Sequence, residues 1–161
     1  MAWAKNGTPD TLSSSGDTLE VNDMNPYKFN SVMQHTLDTG GTIYNAERFS
    51  NNTSSQHAVR VSTNGGADAT GVSRNDMTTY GDPESNPMAM FGYFINIDGE
   101  EKLFIGFGIS QKTAGASTAP SRRETVGKFA VTSGQATVFG TYNGGTGDYN
   151  TNSNISILGT D

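Results

Sequence analysis

The most regular hydrophobic pattern in the chain lies at residues 88–110, MAMFGYFINIDGEEKLFIGFGIS, where two aromatic-rich runs flank Asp98-Gly99. Gly takes the positive φ of a tight primed turn without steric cost, and Asp tolerates it better than most residues. The segment therefore predicts a central hairpin, with strands near 89–97 and 101–110. Gly106 and Gly108 share one parity of the second run, opposite Phe107 and Ile109. Glycine on one face of a strand admits another backbone or a large side chain at close range. HAVRVST (57–63) alternates Val59 and Val61 with Arg60 and Ser62 and reads as a strand. YKFNSVMQHTL (27–37) sets Phe29, Ser31, Met33, His35 and Leu37 against Lys28, Asn30, Val32, Gln34 and Thr36. Neither side is cleanly apolar, and the stretch is read as a strand on its alternation.

Shorter strands are expected at TLEV (18–21), TIYNAERFS (42–50) and NISILG (154–159). RRETVGKFAVT (122–132) and QATVFGTY (135–142) predict a further pair across Ser133-Gly134. SNNTSS is a turn cluster, KTAGASTAPS a loop, and the polar connection at 71–87, with Pro83 and Pro87, is expected to be irregular. No window sustains a period near 3.6 with capping, so any helix is short. Eight or nine short strands with frequent turns point to an all-β, antiparallel β-sandwich of the jelly-roll (concanavalin-like) kind. Residues 1–17 read as an extended N-terminal arm anchored by Trp3 and Leu12, and 18–161 as a single domain.

Composition narrows the setting. A chain of 161 residues fits one domain with a real core. Only 33% of residues are apolar and 16% charged, and Gly numbers 20, so uncharged polar side chains carry the solubility. That mix suits a turn-rich β protein outside a cell or on a particle. The net charge of −6 and the scattered cations argue against nucleic acid as a partner. Without cysteine there are no disulfides or thiolate metal sites. MAWAKNGTPD lacks the apolar core of a secretory signal peptide, and no run approaches membrane-spanning length, so no membrane partner is expected.

Candidate chemistry is sparse. A phosphate cradle needs a Lys and a following helix, and GGTGDYNTNSNISILGTD has neither. Asp148, Asn150 and Asn152 match the start of an EF-hand loop, but Ser153 replaces the required Gly and Gly159 the bidentate Glu. Asp148 with backbone carbonyls is the one metal candidate, for a looser calcium site; a Gly/Asn turn with a solvated Asp is the favoured reading. The two histidines, His35 and His57, lie in expected strands with no G-x-S-x-G elbow or clustered-His pattern. Glu100 and Glu101 are adjacent and diverge, and Glu47 and Glu124 each neighbour an Arg, so no pair of facing carboxyls stands out for glycoside hydrolysis. No catalytic residue and no cofactor is nominated. Tyr80, Tyr142 and Tyr149 occupy loop-like contexts suited to subunit or sugar contacts.

The ending TYNGGTGDYNTNSNISILGTD resembles a pattern near the C-termini of bacteriophage and marine-virus structural proteins, N-x-G-x-G-D/S-Y/F followed by S-x-I-x-V/L-L/Y-G. RFSNNTSSQHAVRVSTNGGADAT and YFINIDGEEKLFIGFGISQKTAGASTAPSRRETVGKF are similar to the turns and central hairpin of the same proteins. The likeness runs from about residue 27 to the end and consists of turn-and-strand motifs, so no catalytic residues transfer. It implies a jelly-roll or concanavalin-like sandwich in a virion protein that is not an enzyme. The expected role is capsid decoration or a tail-fibre module, made in the host cytoplasm and carried on the extracellular particle. Expected partners are further copies of the chain, with a trimer fitting a spike or cement, and a major capsid or tail protein. Docking is expected through the arm, through loops 64–87 and 111–121, and through Trp3, Leu12, Tyr80, Tyr142 and Tyr149. The alternative on the same fold is a lectin-like module binding glycans through loop Tyr and Asn side chains; a polysaccharide-degrading enzyme ranks third.

Overall fold

In the computed structural model, which describes residues 2–80, 87–112 and 114–161, the described chain forms strands and no helix. The strands are β1 (Ala4–Lys5), β2 (Asp10–Thr11), β3 (Thr18–Val21), β4 (Phe29–Thr36), β5 (Asn45–Phe49), β6 (His57–Thr63) and β7 (Ala69–Arg74). They continue as β8 (Met77–Tyr80), β9 (Met88–Ile95), β10 (Lys102–Ser110), β11 (Ser121–Phe129), β12 (Phe139–Asn143) and β13 (Asn154–Thr160). Two antiparallel sheets result. The larger has the order β1-β13-β4-β9-β10-β11-β6-β7, with β2 also on β13; the smaller is β3-β12-β5-β8. The protein is an all-β sandwich, as its alternation and turn spacing predict.

The central hairpin is β9–β10, with Ile95 opposite Leu103 and Met88 opposite Ser110. Its turn is longer than the expected two-residue type. Residues 96–101 form the loop, and of Asp98 and Gly99 only Gly99 has positive φ, at 82°, where a type I′ turn needs both. Side chains hold this loop open. Lys102 is buried and donates through Nζ to the carbonyls of Ile97 (2.9 Å) and Glu100 (2.7 Å). Asn96, also buried, donates to the Ala136 carbonyl (2.9 Å) and accepts from its N–H (2.7 Å).

Two further expectations are corrected. Residues 122–142 do not form a hairpin: β11 pairs with β10 and β6, whereas β12 pairs with β3 and β5 in the other sheet. The chain crosses the sandwich at Ser133-Gly134 because Phe129 and Phe139 must both point inward, from opposite layers. The connection after residue 64 is not irregular throughout. It holds β7 against β6 and β8 against β5, edge strands whose polar sequence hides them from periodicity. Residues 81–86, with Pro83, lie outside the described residues.

The arm is extended and laid along the body. Ala4–Lys5 pairs with Leu158–Gly159, and Asp10–Thr11 with Asn154–Ile155. Buried Asn6 fastens it, donating to Asn30 Oδ1 (2.7 Å) and accepting from the Asn25 N–H (2.6 Å). Leu12 packs half-buried against the core.

Between the sheets sits a ring cluster. Phe139 stacks on Phe94 at 5.0 Å and on Phe104 at 5.9 Å, and Phe49 meets Phe94 and Phe139 edge-on at 5.2 and 5.1 Å. The glycine parity foreseen in β10 serves this cluster. A Cβ on Gly106 would lie 2.5 Å from the Phe104 ring, and one on Gly92 across the ladder 2.8 Å from it. Gly106→Ala should therefore destabilise the fold by about 1–3 kcal/mol, read as a lower urea midpoint at unchanged slope.

His57 is buried and stacks on Phe129 at 4.8 Å. Burial holds its pKa below the ordinary 6.5, outweighing the opposing pull of the Arg74 backbone and the Asp76 carboxylate. Above pH 6.5 the ring is neutral in both states. Below it the unfolded chain binds a proton that the folded chain resists, so stability falls. Melting temperature should drop between pH 7 and pH 5.5, and His57→Phe should flatten that slope.

Candidate functional site: the outer face of the large sheet

Strand parity decides which side chains leave the core. In β10 the inward set is Lys102, Phe104, Gly106, Gly108 and Ser110; the outward set is Leu103, Ile105, Phe107 and Ile109. The outward set is the more apolar one. Register lines it up with like neighbours. One row across the sheet runs Phe29, Ile95, Leu103; the next runs Ser31, Tyr93, Ile105, Val126; a third runs Met33, Phe91, Phe107, Glu124. In these rows the exposed apolar side chains range from 40% exposed at Met33 to 55% at Tyr93.

Trp3 extends this face. The arm brings it, 47% exposed, to a groove of about 470 Å³ lined by Phe29, Tyr93, Leu103, Ile105 and Thr160. Half-exposed aromatic rings each present on the order of 100 Å². With the aliphatic neighbours the face totals roughly 800 Å², above the about 300–600 Å² of the largest apolar patch on a typical monomer.

Along β11 and β6 the rim is charged but self-neutralised, while Lys5 borders the β13 side without an ion pair among the described residues. Arg60 meets Asp68 at 3.1 Å, Lys128 meets Glu101 at 2.8 Å, and Arg122 meets Glu124 at 3.9 Å. These pairs flank the β11–β6 side, while His35, Ser31, Asn154 and Ser156 flank the β4–β13 side. The excess negative charge of the chain lies elsewhere, among Asp10, Asp17, Glu20 and Asp23 and at Asp38 and Asp148.

The other nominated residues are placed differently. Tyr149 is fully buried, its hydroxyl donating to the Tyr44 carbonyl (3.1 Å) and lying 3.3 Å from Thr141 Oγ1, so it packs the core and offers no surface contact. Tyr142 is half-buried under the Arg48 guanidinium, 4.3 Å from the ring centre; its hydroxyl donates to Glu20 (2.5 Å) and is held by Asn51. Burial, then the Glu20 carboxylate, pushes its pKa upward. Tyr80 closes β8, paired with Asn45. Leu12 faces the core, which leaves Trp3 as the one nominated residue on the face.

The glycine-rich C-terminal loop is a backbone joint. Gly147 donates to the Thr42 carbonyl (2.9 Å), and a Cβ on Gly147 or Gly41 would meet the other's backbone within 2.8 Å. Asp148 is exposed beside it, and among the described residues no three His, Cys, Asp or Glu converge as a metal would require. A second cleft, also about 470 Å³, opens between β5–β8 and β6–β7, where Asp76 engages Arg74 (3.5 Å), Arg48 (4.0 Å) and Thr78 (2.7 Å). Asp76 thus ties Arg74, Arg48 and Thr78 together there. The face, not a pocket, is the candidate site.

No family model matches the chain, and no curated protein matches it. Apart from Trp3, the residues of this face were not among those nominated from the sequence, although one signal for it is present. A strand apolar on both parities belongs where both its faces are covered, and among the described residues only one cover is present.

One strand carries both environments. Phe91→Ser, on the outer face, should change folding stability by no more than about 1 kcal/mol and weaken binding of a hydrophobic dye. Phe94→Ala, three residues on and inside, should cost about 3–5 kcal/mol by chemical denaturation.

Proposed function

We propose that this chain is a non-enzymatic structural component of a virus particle, a capsid decoration or tail-fibre subunit, that acts by docking through the outer face of its large sheet. The observation that carries the reading is that face, with its solvent-facing aromatic rows on β4, β9 and β10. A patch of this size with a polar rim marks a surface that holds a protein neighbour. The resemblance of residues 27–161 to phage and marine-virus structural proteins supports the particle as the setting.

Mechanically, the sandwich supplies rigidity and the face supplies adhesion. Pairing of the arm with β13 fixes Trp3 at the margin of the face, so the ring needs little further ordering on contact. Repetition over a particle multiplies contacts that are individually modest.

The test is made on particles. Mass spectrometry of purified virions should find the chain at stoichiometric copy number, and purified protein should co-sediment with particles stripped of it. Phe91→Lys and Trp3→Ala should weaken that co-sedimentation by at least about tenfold. Absence of the chain from purified virions would overturn the reading. Glycan binding that survives Phe91→Lys would move the assignment to a lectin.

A further inference from the structure

We infer that the outer face of the large sheet is covered by the same face of a second copy of this chain, the two related by a two-fold axis lying in the plane between their sheets. The inference rests on the docking reading above and names its nearest partner.

Three observations carry it. The first is area. Roughly 800 Å² of apolar face is the amount one partner contributes to a standard interface of about 1,600 Å² in total. A neighbour contacting only one edge would leave most of that face wet.

The second is charge. A chain carrying −6 is repelled by its own kind wherever the excess sits. On the β11–β6 side of this face the exposed cations each have an anion of the same chain beside them: Arg60 with Asp68, Lys128 with Glu101, Arg122 with Glu124. Lys5 of the arm shares the face by register and has no ion pair among the described residues. Two such faces meet with little of the chain's negative excess between them. For an anionic nucleic acid or lipid surface, Arg60, Lys128 and Arg122 are already occupied, and Lys5 alone is a weak anchor.

The third is shape. Phe91, Tyr93 and Phe107 sit on the middle strands, β9 and β10, with Phe29 beside them on β4. The flanks carry Arg122, Glu124 and Lys128 on β11 and Asn154 and Ser156 on β13, interrupted by Val126 and Leu158. An isologous contact requires a patch that matches itself, and a central apolar stripe between polar borders does so when turned over. Stacked sheets pack about 10 Å apart with their strands within about 30° of each other, a spacing that Phe91, Tyr93 and Phe107 fill by interdigitation.

The experiment is sedimentation equilibrium of the isolated protein across the micromolar range, with Phe91→Lys, Phe107→Lys and a control, Thr151→Lys, in the exposed loop before β13. The wild-type chain and the control should sediment at twice the chain mass. Each face variant should raise the dissociation constant by about 30-fold or more, with an unchanged circular dichroism spectrum. Tyr93→Lys supplies the same reading should either variant disturb folding. A wild-type monomer or trimer, or a dimer indifferent to the face variants, would overturn the inference. A monomer that still co-sediments with particles would overturn it while leaving the virion reading standing. A dimer absent from virions would do the reverse.

Discussion

Phe139 is the point at which the two layers become one molecule. It projects from the short sheet and stacks on Phe94 and Phe104 of the long one, while Phe49 closes the cluster edge-on. Aromatic pairs at these separations add about 0.5–1.5 kcal/mol each beyond the area they bury. The backbone beneath is shaped to receive them. Gly92 and Gly106 leave β9 and β10 bare where the Phe104 ring lies flat, so the sheets approach at a place where any side chain would hold them apart. Loss of glycine there and loss of a ring there are the same injury from two sides.

The same clamp explains the asymmetry of the outer surface. The four strands of the small sheet cover only the inner face of the large one, and among the described residues nothing covers the other side of β4, β9 and β10. Yet that side carries Phe, Tyr, Leu and Ile in register. A fold could satisfy its core with polar residues on those positions. That it presents apolar ones leaves a broad hydrophobic surface facing solvent, and the paired charges on its β11–β6 border offset one another.

The long strands were legible because their alternation is strong. HAVRVST is β6 residue for residue, and the central hairpin differs mainly in its turn. What the sequence concealed has physical causes. In β10 both parities are apolar, so hydrophobicity alone does not say which one meets the core; the glycines opposite Phe107 and Ile109 do, once a ring is known to lie on them. β7 and β8 are polar edge strands defined by their partners, β6 and β5. Phe129 and Phe139 belong to different layers, which local turn chemistry cannot reveal. Tyr149 sits in a glycine- and asparagine-rich stretch that reads as loop, yet its ring is in the core because the neighbouring glycines let two backbones touch.

Laying the arm on β13 has a consequence for how the chain reaches its native state. β13 is built from residues 154–160 and lies between β4 and the arm, so β1 and β2 have no strand to pair with until residues 154–160 have been made. Contacts of such long sequence separation make folding slow and leave pairing groups bare in the interval. Trp3 reaches its place beside Phe29 and Tyr93 only when that ladder closes, so the groove it lines depends on segments more than 150 residues apart along the chain.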